Sequence, residues 1–175
     1  LFWGAGAALR FLVIAWVPVA LKVTNNTLPG FLTGMVAAGI VVGAALAARF
    51  VRLQHIHRAL PAGILIGLGV CLLPLVSVQI LAFAVMAFVG TCSGFFVVPL
   101  DALLQRQGEK GVGAGSAIAI QNMFENLSML ALVSAYSAAV FLNAPVNSIA
   151  VGVGAFIALS MATLTLTHLK SAKAS

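Results

Sequence analysis

The chain has 175 residues, of which 62% are hydrophobic and only 7% charged, with a formal net charge of +6. Soluble domains carry about 25% charged residues, so this composition cannot build a water-facing surface. It equally excludes a disordered chain, which needs low hydrophobicity.

A helical membrane span needs about 20 mostly apolar residues, and six such segments can be marked in order. They are long and continuously apolar, unlike the short alternating strands of a barrel. An all-α membrane protein is expected, because helices satisfy their own backbone groups in lipid.

The first segment, about Leu1–Val23, opens Leu-Phe-Trp-Gly already inside an apolar run. The chain is therefore expected to be one half of a longer protein. This segment carries Arg10, twelve residues before Lys22, which places the guanidinium about 18 Å from the outer edge of the bilayer. The second, about Gly30–Ala48, holds Gly39 and Gly43, and a basic stretch with Arg49, Arg52, His55, His57 and Arg58 follows it. His55 and His57 lack a third ligand nearby and are read as solvated, with no metal site. The third, about Leu60–Val76, holds Gly63 and Gly67, and the fourth, about Ile80–Leu100, holds Gly90 and Gly94. Glycines four residues apart let membrane helices approach closely. Cys71 and Cys92 lie in these apolar runs and read as small hydrophobes.

Pro18 and Pro99 fall inside segments, where each removes a backbone donor and suits either a gate or a fixed bend. Asp101, just after Leu100, is expected to pair with Arg106 at the membrane surface, in a connection that also holds Lys110. The run Gly111-Val-Gly-Ala-Gly115-Ser116 has no strand before it and no Gly-Lys-Ser/Thr after it. It is read as a flexible loop, not a phosphate cradle, and no cofactor is expected.

The fifth segment, about Ala114–Leu142, is the most informative. At 100° per residue, Gln121, Glu125, Ser128 and Tyr136 fall in a stripe about 80° wide, with Asn122 beside it and Leu132 its only apolar member. Glu125 lies about 16 Å from the inner edge. The stripe is expected to line a cavity, with hydrogen bonding to a neighbouring helix as the alternative. The sixth segment, about Ile149–Thr167, ends in a tail holding Lys170 and Lys173.

Seven of the nine lysines and arginines fall in alternate connections and the tail. By the positive-inside rule both ends are cytoplasmic, and the first, third and fifth segments run outward. Arg10 and Glu125 are the two charges deep in the bilayer, where each costs about 2.5–3.5 kcal/mol by insertion scales. Two readings stay open. The pair holds or switches a conformation, or Arg10 binds an anionic group while Glu125 and its amide neighbours bind a cationic or hydroxyl group. A guanidinium suits phosphate because its donors match two oxygens at once. No histidine lies well inside a segment and no nucleophile–base pair is legible, so an enzyme is not expected.

Particular runs add a resemblance. Leu-Phe-Trp-Gly-Ala-Gly at 1–6, Leu9-Arg10-Phe11, Trp16-Val-Pro-Val-Ala-Leu21, Pro61-Ala-Gly-Ile-Leu-Ile-Gly67 and Gly94-Phe-Phe-Val-Val-Pro-Leu100 resemble bacterial lysophospholipid transporters of the major facilitator superfamily. So do Val112-Gly-Ala-Gly115, Ala117-Ile-Ala119, Gln121-Asn122 and Glu125-Asn126. The resemblance covers essentially all of residues 1–175, as a C-terminal six-helix bundle. One departure is that Gly43 to Arg52 lacks the acid usual in that loop of the superfamily.

The resemblance implies a flippase of the bacterial inner membrane. It would carry lysophosphatidylethanolamine and lysophosphatidylglycerol from the outer to the inner leaflet by alternating access. An acyltransferase–acyl carrier protein synthetase would be the functional partner, and the N-terminal half of the same transporter would complete the cavity. Surrounding membrane lipids would be further partners, and nucleic acid would not. Substrate-binding or gating roles fall to Arg10, Glu125, Gln121, Asn122, Ser128 and Tyr136. A transporter of another amphipathic solute, a drug or sugar, would show no head-group selectivity. A non-transporting membrane subunit would leave lysolipid traffic intact when removed.

Overall fold

The structure is a computed structural model that describes residues 2–22, 27–51, 59–111 and 113–174, with side chains omitted at 2, 110, 114 and 167–174. Arg52, His55, His57 and Arg58 lie outside the described residues, as does Val112 of the glycine run, and the side chains of Lys110, Lys170 and Lys173 are also outside them.

All regular structure among the described residues is helical: α1 (Phe2–Ala20), α2 (Leu28–Phe50), α3 (Leu60–Leu72), α4 (Gln79–Lys110), α5 (Ala114–Phe141) and α6 (Val146–Ala174). Pro29 and Pro61 sit in the first turns of α2 and α3, where a missing N–H costs no helical bond. Pro18 and Pro99 lie within continuous helices and end neither of them.

One expected boundary is corrected. The fourth helix does not stop at Leu100 but continues to Lys110. The apolar run ends there, yet Ala, Leu, Gln, Arg, Glu and Lys are all good helix formers, so the helix outlasts the membrane-compatible stretch. The connection expected after the fourth segment is therefore mostly helix. What turns the chain is the glycine run, with Gly113 at φ +91°, a conformation that glycine alone adopts without cost.

The third segment, expected over about Leu60–Val76, is a helical element over Leu60–Leu75. Five helices, α1, α2, α4, α5 and α6, are long and apolar enough to cross a membrane, whereas Leu60–Leu75 is shorter. Here α3 passes at Leu73–Leu75 into a 3₁₀ turn containing Pro74. At 1.5 Å per α residue and 2.0 Å per 3₁₀ residue the element reaches roughly 26 Å, slightly under the hydrocarbon thickness.

Three helix pairs organise the bundle. The broadest contact joins α2 to α4. Gly39 faces Ala87, Gly90 and Thr91, Gly43 faces Thr91 and Phe95, Gly90 faces Val36, and Gly94 faces Ile40 and Ala44. Numbers rise together on both sides, so the helices run parallel. A second interface joins α3 to α6 in antiparallel fashion, with Gly67 against Gly154 and Ala158, and Gly154 against Cys71. A third joins α1 to α5, where Gly4 lies against Ser128 and Leu132. These relative directions agree with outward-running first, third and fifth segments.

The core is built from α1 to α4 and α6. Leu12, Trp16, Leu32, Val70, Leu73 and Met86 are its largest fully buried members. Among the described residues of α5 only Ala117 is buried. Large apolar side chains instead stand exposed on every helix, Phe141 at 85% and Ile80 at 81% among them. Such a surface would associate indiscriminately in water and is what a bilayer covers.

Candidate functional site

Arg10 stands at the middle of α1, in a helix otherwise free of charge. Its side chain is exposed, and among the described residues no ion pair or hydrogen bond engages it. The helical period brings it to the same side of α1 as Trp3, Gly6 and Val13, which with it line a cavity of about 560 Å³. The other walls come from Val36 and Ile40 of α2, Ile66 and Val70 of α3, Val89 of α4, and Phe156 and Ile157 of α6. Thr33 and Ser93 also reach the cavity. However, their hydroxyls donate to the carbonyls of Pro29 at 2.8 Å and Val89 at 2.7 Å within their own helices. The space thus combines mostly apolar walls with one guanidinium and the Ser160 side chain. Cavities that take small ligands occupy roughly 300–1,000 Å³ and share this plan of apolar lining with few polar groups.

Glu125 belongs to a different cluster. Gln121 Nε2 donates to Glu125 Oε1 at 2.6 Å and to Asp101 Oδ1 at 2.9 Å, so one amide bridges two carboxylates from two helices. All three side chains are half-buried. The expected Asp101–Arg106 pair is not formed. Residues five apart on a helix point about 140° away from each other, and only spacings of three or four bring side chains together. Once α4 continues through Pro99, Asp101 faces α5 while Arg106 is exposed. That periodicity was the signal in the sequence that could have identified Asp101.

The remaining stripe residues divide between packing and exposure. Ser128 donates to the backbone carbonyl of Glu125 at 2.8 Å and packs against Gly4. Tyr136 donates across to the carbonyl of Phe11 at 3.2 Å, and its ring stacks on Phe11 with centroids 6.1 Å apart. In this structure Tyr136 fastens α5 to α1, the Ser128 backbone lies against Gly4, and neither residue lines the cavity. For Tyr136 the contact is the hydrogen bond to a neighbouring helix that stood as the alternative to cavity lining. Asn122 and Asn126 lie on the exposed flank of Glu125, with Asn126 Nδ2 donating to the Asn122 carbonyl at 2.8 Å.

The α1–α5 register also corrects the depths. Gly4 lies beside Ser128 and Phe11 beside Tyr136, so Glu125 is level with the very start of α1. Arg10 is nine residues further along, or about 14 Å at 1.5 Å per residue. Counting from opposite ends of the two segments carries the boundary error of each, which the register between the helices removes. Arg10 and Glu125 are not an ion pair here.

No protein-family model matches the chain, and no solved structure matches it. Curated relatives do. Lysophospholipid transporter LplT of Escherichia coli O157:H7 (strain EC4115 / EHEC), of Escherichia coli (strain K12 / DH10B) and of Citrobacter koseri (strain ATCC BAA-895 / CDC 4225-83 / SGSC4696) are each 52% identical over 164 residues. The alignment covers 94% of this chain and 41% of each relative. The resemblance read from the residues thus extends over nearly the whole chain, which spans about two fifths of the length of these relatives. Together with the five apolar helices of crossing length, this makes the chain a multi-pass protein of the bacterial inner membrane.

Proposed function

We propose that the chain is the C-terminal half of a lysophospholipid transporter of the major facilitator type. In this reading it moves lysophosphatidylethanolamine and lysophosphatidylglycerol from the outer to the inner leaflet, toward a reacylating synthetase. The observation that carries the reading is Arg10, a mid-helix guanidinium without a partner among the described residues, at the edge of an apolar cavity of about 560 Å³. That combination matches a phosphate attached to a single acyl chain. The similarity to LplT supports the same substrate class.

The physical problem is the head group. Carrying a phosphate through bare hydrocarbon strips its hydration without replacement. Arg10 supplies paired donors to the phosphate oxygens, while apolar walls and lipid accept the chain. Glu125, with Gln121 and Asn122 beside it, supplies acceptors for an ammonium or for glycerol hydroxyls. Because the two sites are separated by about 14 Å along the helices, they act in succession. With the N-terminus cytoplasmic, a head group moving inward meets the Arg10 level first and the Glu125 level second. Rocking of this half against the N-terminal half exposes the path to each side in turn. The exposed, polar flank of α5 around Asn122 and Asn126 is the face expected to meet that other half.

The test is lysolipid uptake by spheroplasts carrying the full-length transporter with Arg10→Ala or Glu125→Ala. Each is expected to lose at least tenfold in uptake, as removal of one charged hydrogen-bonding partner does. Normal uptake in both variants overturns the proposal.

A further inference from the structure

We infer that Asp101 is a positioning residue for Glu125, acting across the α4–α5 interface through the amide of Gln121. The inference rests on the reading of Glu125 as a head-group station and adds to it the residue that holds that station in place.

The geometry leaves little freedom. Carboxylates are acceptors only, so the Gln121 amide must turn its Nε2 toward Asp101 and Glu125, and its two protons serve one carboxylate each. The amide oxygen of Gln121 and the second oxygen of Glu125 then remain as acceptors. Gln121 and Glu125 are four residues apart on α5, so they can meet without help. A pair on one helix, however, fixes its members relative to each other and not to the rest of the bundle. Asp101 comes from a different helix and pins the amide at 2.9 Å, and through it the carboxylate. Its own place depends on α4 running unbroken past Pro99. A side chain that sets a binding group in advance lowers the cost of ordering it when substrate arrives.

A simple staple between α4 and α5 would show itself in protein stability and maximal rate. A positioning role shows itself in apparent affinity. Full-length transporter carrying Asp101→Ala, Gln121→Ala, the double variant and Asp101→Asn is compared for concentration-dependent lysophosphatidylethanolamine uptake, with melting temperature and membrane abundance measured alongside. Asp101→Ala and Gln121→Ala each raise KM about tenfold with the maximal rate per molecule within about twofold. The double variant is no worse than the poorer single one, as expected of residues that act in series. Asp101→Asn, which keeps the Oδ1 acceptor, recovers most of the affinity. An unchanged KM in Asp101→Ala, a multiplicative loss in the double variant, or a deficit confined to maximal rate or abundance overturns the inference. If Asp101→Ala does not fold, the Gln121→Ala and Asp101→Asn measurements still decide. Should Glu125→Ala itself take up lysolipid normally, the underlying reading fails instead, and the two failures are thereby told apart.

Discussion

Replacing Gly43 by alanine tests whether α2 and α4 are held together by direct backbone approach. A methyl group built at Gly43 would fall within contact distance of the Thr91 carbonyl oxygen and lie 2.8 Å from Phe95 N, whereas ordinary contact begins at 3.4 Å. The obstructing atoms belong to a helix backbone and cannot rotate aside. The helices must part by about 1 Å, and overpacking of this kind costs about 1–3 kcal/mol. On a bundle of this size, at about 2–4 °C per kcal/mol, that corresponds to a melting temperature about 2–12 °C lower. Gly152→Ala on α6 is the matched control. Nothing lies within 4 Å of a methyl group there, so only helix propensity changes, and the variant is expected to be more stable by up to about 1 kcal/mol. Thermal melting of the purified full-length protein in detergent, followed by tryptophan fluorescence, reads both. A Gly43→Ala protein as stable as the parent, or a Gly152→Ala protein that falls equally far, refutes the packing argument.

Tyr136→Phe removes the hydroxyl that donates to the Phe11 carbonyl but keeps the stacked ring. It is expected to cost about 0.5–1.5 kcal/mol in thermal stability while lysolipid uptake per molecule is retained; a selective loss of uptake would return Tyr136 to the substrate path. Trp16 is fully buried, and its indole Nε1 has no hydrogen-bond partner among the described residues. Trp16→Ala opens a large void at the centre of the core and is expected to cost about 3–5 kcal/mol, read as the largest drop in melting temperature of the variants named here.

Burial of these residues was not visible locally. The apolar runs that identified six segments also make Trp16 and Phe11 look alike, yet one is enclosed and the other is 48% exposed. In lipid, unlike in water, apolar side chains are at home on either face, so hydropathy does not report which side of a helix points inward. Glycine spacing was a better guide, because close approach needs small residues in rows; which row meets which depended on the bundle. Asp101 was legible only after its helix was known to continue.

Local composition alone determined that this chain is a set of membrane helices, because the cost of an unpaired backbone or an unsolvated charge in hydrocarbon is paid residue by residue. It also singled out Arg10 and Glu125 as the charges that need explaining. Tertiary structure decided their relationship: the parallel register of α1 and α5 separates them, and α4 rather than α1 supplies the partner of the Glu125 cluster. Levels and partners are set by contacts between residues more than a hundred positions apart, such as Gly4 with Ser128 and Phe11 with Tyr136, and no window along the sequence contains both members of such a pair.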